Sequence, residues 1–195
     1  MPTLFWDNET RSEANLEKVG AWRYARHPTT EVLCVSFAVD DGDPKIWTPG
    51  QPIPWEFHAA AGDLSWHLVA HNAQFERAIE KCVLHPRYGW PLFADSQRRC
   101  TMAAALANSL PGSLDKCAAA LDFDERVFLR QNAQGLTYGD AADSQFAAEF
   151  ALGWKLCSRR VLTACNALRN SVLHLVIEGY NALLTFQHVG STITQ

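Results

Sequence analysis

The segment EVLCVSFAVDDG at residues 31–42 constrains the fold of this chain more than any other part of it. Its first nine residues are mostly apolar and β-forming, and they do not alternate between apolar and polar side chains. A strand with one face in water would alternate, because successive side chains point to opposite faces of a sheet. The segment therefore predicts a central strand that other elements cover on both faces.

The elements around this strand predict a mixed sheet with helices packed on it. Hydrophobic periodicity and turn residues place strands at residues 3–7, 31–42, 45–50 and 66–70, and helices at 12–26, 71–82, 101–109 and 114–121. Ser12 is the expected cap of the first helix. An order of strands first, then strand and helix in alternation, favours an α/β fold of one domain.

The charge balance excludes a protein that holds nucleic acid by net attraction. The 195 residues are 48% hydrophobic and 19% charged, with a formal net charge of −4, as in a folded globular protein. A nucleic-acid enzyme with this balance needs metal ions between itself and phosphate. The sequence predicts no stable protein partner.

The expected location is the cytoplasm. Six cysteines lie far apart and lack the spacing of a zinc site, which predicts free thiols in a reducing compartment. The start, MPTLFWDNETRSE, lacks the basic segment and apolar run of a signal peptide. The longest apolar stretch, at 171–186, is too short and too polar to span a membrane.

A pair of acidic residues ends the first predicted strand. In FWDNET, Asp7 and Glu9 are two residues apart, so on a strand their carboxylates share one face. Burying two carboxylates together is costly unless cations compensate, and Mg²⁺ or Mn²⁺ is the natural partner of such oxygen ligands. Taken alone, the pair is more typical of a solvated turn at a strand end.

A second polar group lies where the strand at 66–70 gives way to a helix. In AHNAQFERAIE at 70–80, Asn72 and Glu76 are spaced i, i+4 and can face one site, and Phe75 offers a flat surface on which a base can stack. Taken alone, this segment is also typical of an amphipathic helix with Glu76 in solvent.

Together, in this order and at this distance, the two segments resemble a known family. Residues 5–42 resemble the opening of the 3′ to 5′ exonuclease domains of phage and prophage family A DNA polymerases. AHNAQFERAI resembles their second exonuclease motif, and RCTMAAALANSLPGSLDKCAAAL at 99–121 resembles the segment that follows it. The match covers the first two thirds of the chain and implies a ribonuclease H-like mixed sheet with flanking helices.

The resemblance implies a proofreading exonuclease that acts on single-stranded DNA 3′ ends, with four carboxylates and two divalent metal ions, Mg²⁺ or Mn²⁺. By motif position, Asp7 bridges both metals and Glu9 binds one of them. Glu76 stands where the wider superfamily has aspartate. Thr10 and Asn72 match positions near the 3′ nucleotide, and Phe75 matches the aromatic residue beside it.

The sequence departs from the family after residue 125. The third motif, Tyr-x-x-x-Asp, is missing there, and the nearest pattern, Tyr138 with Asp140 and Asp143, has the wrong spacing and predicts a solvated loop. Over 151–195 the charged residues are Lys155, Arg159, Arg160, Arg169 and Glu178, with no aspartate. The prediction is therefore an exonuclease-like domain at 1–125 and a divergent tail at 126–195, helical or poorly ordered and possibly out of frame.

Three functional hypotheses stay open at this point. The first is a metal-dependent exonuclease, and the second is an inactive fragment of a phage DNA polymerase that lacks the fourth carboxylate. The third is an unrelated α/β binding domain without enzymatic activity. The joint occurrence of both motifs favours the first two.

Overall fold

The computed structural model describes residues 1–121 and 162–167. Five strands form one sheet in the order β3-β2-β1-β4-β5. They are β1 (Thr3–Arg11), β2 (Glu31–Val39), β3 (Lys45–Trp47), β4 (His67–Ala70) and β5 (Arg98–Cys100). β2 runs antiparallel to β1 and β3, whereas β4 runs parallel to β1 and β5. The predicted mixed sheet is confirmed.

Short helices flank the sheet. They are α1 (Leu16–Val19), α2 (Ala21–Arg26), α3 (Trp55–Gly62), α4 (Ala73–Ile79), α5 (His85–Tyr88), α6 (Thr101–Ala107) and α7 (Leu114–Ala120). A π-helical segment, Glu80–Leu84, joins α4 to α5, and a 3₁₀ turn, Asp95–Gln97, precedes β5. Residues 162–167 form a further helical segment.

The helix predicted over residues 12–26 is two helices. Gly20 has φ 75°, a left-handed conformation that glycine adopts without steric cost, and it separates α1 from α2. Asn15 rather than Ser12 caps α1, because its side chain accepts a hydrogen bond of 3.0 Å from the Lys18 amide. Ser12 instead accepts a hydrogen bond from Thr30 across the β1–β2 connection.

Three elements, α3, α5 and β5, were not predicted. The sequence of α3 lacks an amphipathic pattern, because one of its buried residues is the charged Glu56. Glu56 forms an ion pair of 2.6 Å with Lys45 on the edge strand β3. β5 reads Arg-Arg-Cys, which is not a strand pattern. It forms through pairing with β4, and Arg98 is only 10% exposed because it pairs at 2.6 Å with the fully buried Glu80.

Hydrophobic clusters cover both faces of the sheet. Leu4, Trp6, Val35 and Phe37 belong to the larger cluster. The smaller cluster comprises Phe5, Val69, Ala105, Leu114, Cys117 and Cys165. Residues Cys34 to Ala38 of β2 are all buried. The central strand predicted from the EVLCVSFAV segment is therefore covered on both faces, as its sequence requires.

The structure also bears on the predictions about the cysteines, the membrane and the tail at 126–195. The described cysteines, Cys34, Cys82, Cys100, Cys117 and Cys165, are free thiols. No helix in the described ranges has the length and apolar character needed to cross a membrane. The predicted tail lies outside the described residues except for 162–167, where Cys165 is buried in the smaller cluster. The Tyr138 segment also lies outside them.

Candidate active site

β1 extends past the end of its neighbour β4. The two strands pair only at Thr3, Leu4 and Phe5, because β4 ends at Ala70 and the chain turns into α4. The second half of β1 therefore has a sheet neighbour on the β2 side alone. This leaves a gap in the sheet beside Asp7, and α4 lies next to it.

Asp7 and Glu9 lie on the same face of β1, as their spacing requires. This is the face on which Phe5 packs into the smaller cluster, whereas Trp6 packs into the larger one. Both carboxylates are half-buried. A β-bulge follows at once, between Glu9 and Thr10, and increases the local twist of the strand.

α4 brings Glu76 to Asp7. The Glu76 side chain is 1% exposed, and a side-chain hydrogen bond links its carboxyl group to that of Asp7. The bond lowers the pKa of Asp7 and raises that of Glu76, so a protonated Glu76 donates and Asp7 accepts. The structure thus places the three predicted acidic residues in one cluster, here called the carboxylate cluster (Asp7, Glu9 and Glu76).

Burial and mutual repulsion keep this cluster from ionising. Burial, followed by the charge of Glu9, raises the pKa of Asp7 to about 8. Burial raises the pKa of Glu9 to about 7, and burial followed by the charge of Asp7 raises that of Glu76 well above its usual value. Among the described residues, no lysine, arginine or histidine forms an ion pair with any of the three. Ionisation of the cluster would therefore leave negative charge that no described cationic side chain compensates.

β2 supplies one wall of the cluster. In the antiparallel register, Ser36 pairs with Asp7 and Cys34 pairs with Glu9. Burial, and then the charges of Glu9 and Asp7, raise the pKa of the Cys34 thiol to about 12. The Ser36 hydroxyl is buried without a hydrogen-bond partner in the described residues. The sequence analysis did not name either residue. Cys34 and Ser36 are two residues apart on the predicted central strand, and this spacing already indicated that their side chains share one face.

Thr10 and Phe75 meet through a residue that sequence reasoning also missed. A buried hydrogen bond of 3.0 Å joins the hydroxyl groups of Thr10 and Tyr24. The Tyr24 ring lies 5.9 Å from the Phe75 ring, centroid to centroid. Tyr24 therefore connects α2 to β1 and to α4. The sequence shows that Tyr24 is an aromatic residue in a helix, but its contacts with Thr10 and Phe75 depend on tertiary packing.

Asn72 occupies the turn between β4 and α4. Its φ of 62° and ψ of 48° are left-handed, a conformation that asparagine tolerates better than most residues. Its carbonyl accepts a hydrogen bond of 2.8 Å from the Phe75 amide. Asn72 is exposed and precedes the first turn of α4, whereas Glu76 is buried within it.

The carboxylate cluster has the donor chemistry of a divalent-metal site. Glu76 Oε2 is buried without a hydrogen-bond partner in the described residues, and carboxylate oxygens are preferred ligands of Mg²⁺ and Mn²⁺. In the described part of the chain, no three histidine, cysteine, aspartate or glutamate side chains are already arranged to hold a metal ion.

Comparison with known proteins supports the sequence resemblance. No family model matches the chain. The chain is 35% identical over 123 residues to a DNA polymerase of Bacillus phage SP02. This similarity covers 62% of the chain but only 18% of that polymerase, so the chain matches a small part of its curated relative.

The fold is shared with solved structures of NrnC from Brucella melitensis. One, with bound Mg²⁺, has a TM-score of 0.57 at 16% identity, and another has a TM-score of 0.58 at 18% identity. Each match covers 87% of this chain and 74% of that one. The chain thus has a ribonuclease H-like α/β fold, and its sequence resembles part of a phage DNA polymerase.

Proposed function

We propose that residues 1–125 are a metal-dependent 3′ to 5′ exonuclease domain of the proofreading type that acts on single-stranded DNA ends in the cytoplasm. The carboxylate cluster carries the proposal, because its three carboxyl groups lie together and have no cationic partner in the described residues when they ionise. The sequence similarity to a DNA polymerase supports DNA as the substrate.

Asp7, Glu9 and Glu76 are the proposed catalytic residues, and they would hold two divalent ions, Mg²⁺ or Mn²⁺. The Mg²⁺ bound to NrnC, a protein with the same fold, supports this choice of ion. When bound, such ions lower the pKa of a coordinated water and stabilise charge on the leaving 3′ oxygen. The chain contributes by releasing the protons of the cluster and fixing its oxygens.

The surroundings favour cation binding over solvation of the carboxylates. Asp7 sits between Glu9 and Glu76, so ionisation of all three concentrates negative charge beside one residue. The apolar cluster around Phe5 and the buried Cys34 restrict water on this side of the sheet. A metal ion therefore offers compensation that the protein itself lacks.

The proposed 3′-nucleotide site lies beside the carboxylate cluster. Thr10 follows Glu9 in β1, and Phe75 precedes Glu76 in α4, so both are adjacent in sequence to proposed metal ligands. Phe75 would stack on the terminal base, and the exposed Asn72 amide would donate to the substrate. Thr10 would contact the terminal sugar, held in place by Tyr24.

A second candidate is a domain of this fold that binds metal weakly and does not hydrolyse DNA. The observation that favours it is the missing Tyr-x-x-x-Asp pattern, because a two-metal site with one carboxylate too few leaves one ion short of a ligand. On this reading the chain is an inactive relative of a phage DNA polymerase.

Hydrolysis of a single strand labelled at its 5′ end separates the candidates. In Mn²⁺, and more slowly in Mg²⁺, we expect a ladder that shortens from the 3′ end and releases nucleoside monophosphates. Asp7→Ala is the blank. Early release of the 5′-terminal labelled nucleotide, or cleavage within the strand, would contradict digestion from the 3′ end. No Asp7-dependent hydrolysis in either ion would favour the inactive candidate.

A further inference from the structure

An aromatic ring with two arginines over it lies on the surface formed by α2 and α4. The guanidinium carbon of Arg26 is 5.6 Å from the centroid of the Trp22 ring. That of Arg77, from α4, is 6.0 Å from the same ring. Trp22 is half-buried against the larger core cluster, so its ring is a fixed platform that orients guanidinium groups from two different helices.

This surface is locally basic on a chain with a net charge of −4. Arg77 is paired with the exposed Asp95 at 2.5 Å, and Glu17 is the acidic residue of α1. We call Trp22, Arg26 and Arg77 the Trp22 surface. Arg26 is exposed and forms no ion pair within the described ranges, so the surface carries one positive charge that Asp95 does not balance.

The Trp22 surface lies on the same two helices, α2 and α4, that border the proposed 3′-nucleotide site. Tyr24 lies two residues after Trp22 in α2 and contacts both Thr10 and Phe75. Arg77 directly follows Glu76 in α4. α2 and α4 therefore carry both the Trp22 surface and the residues next to the proposed 3′-nucleotide site.

The chemistry of the surface fits a single-stranded nucleic acid backbone. A guanidinium stacked on indole keeps its N–H edge available, and that planar edge matches the oxygens of a phosphate. We propose that the Trp22 surface binds the phosphodiester backbone of the single-stranded DNA substrate on the 5′ side of its terminal nucleotide. This inference rests on the proposed function and extends it by assigning the path of the strand.

Binding of a 5′-fluorescein-labelled oligothymidylate, measured by anisotropy in Ca²⁺, tests the inference. Arg26→Gln removes an exposed charge from the surface and is expected to weaken binding by roughly threefold or more. It should also make the plot of log affinity against log salt shallower by about 0.7, the value for one lost phosphate contact on a single strand. Arg26→Lys should retain the salt slope and lose part of the affinity.

Lys116→Gln is the matched control, because Lys116 is exposed, forms no ion pair in the described residues and lies on α7 rather than on α2 or α4. It should bind as the wild type does. Equal affinities for Arg26→Gln and Lys116→Gln, with hydrolysis by the wild type intact, would overturn this inference alone. Absence of both binding and hydrolysis in the wild type would overturn the proposed function with it. Melting curves check that the variants fold.

Discussion

Replacing Asp7 with asparagine is expected to slow single-strand hydrolysis by this chain about 10³-fold or more, equivalent to about 4 kcal/mol of transition-state stabilisation. Asp7 contacts Glu76 directly and interacts with Glu9, so it is the residue common to the whole carboxylate cluster. Asparagine keeps the shape of the side chain and removes the charge. The measurement is the initial rate of shortening of a 5′-labelled strand in Mn²⁺.

Asp43→Asn is the control for this effect, because Asp43 is exposed in the β2–β3 connection and distant in sequence from both motifs. Its rate should equal that of the wild type. Undiminished hydrolysis by Asp7→Asn would remove Asp7 from the mechanism, and the acidic residues after position 125 would then be the ones to replace.

Without divalent cations, the carboxylate cluster is expected to destabilise the fold as the pH rises from about 4 to about 8. The folded-state pKa values of Asp7, about 8, and Glu9, about 7, lie above their unfolded values of 3.8 and 4.5. Between these limits the folded chain keeps protons that the unfolded chain releases. The stabilisation is therefore complete below the unfolded values and lost as the pH rises through the folded ones.

The magnitude is on the order of several kcal/mol, since each pKa unit corresponds to about 1.4 kcal/mol. Urea unfolding at a series of pH values in EDTA measures it. At about pH 8, Asp7→Asn should be more stable than the wild type, because it cannot ionise. Mg²⁺ should stabilise the wild type at that pH and change Asp7→Asn much less. A wild type that is no less stable than Asp7→Asn would contradict the account.

The sequence predicted the parts of the site that depend on local periodicity. Asp7 and Glu9 share a face because strand side chains alternate, and that relation needs no tertiary information. The central strand, predicted at 31–42 and found at Glu31–Val39, followed from an apolar pattern on both faces. The meeting of Asp7 with Glu76, across about seventy residues of sequence, was expected only from the family resemblance, because no local pattern fixes it.

Other parts of the site depend on tertiary packing and could not be predicted. Cys34 and Ser36 face the cluster because of the register between β1 and β2, which a one-residue slip would change. Tyr24 reaches Thr10 from α2, a helix that begins after Gly20 and that the sequence did not separate from α1. β5 exists because β4 offers it a partner, since its own sequence does not favour a strand.

The central claim is that Asp7, Glu9 and Glu76 form a divalent-metal site, and Mn²⁺ binding to the whole chain without DNA tests it most directly. Loss of the electron paramagnetic resonance signal of free Mn²⁺ on adding protein measures the bound fraction. At about pH 8, where the cluster can release its protons, the wild type should bind Mn²⁺ and Asp7→Asn should not. Mn²⁺ binding that is absent in the wild type, or equally strong in Asp7→Asn, would contradict the account.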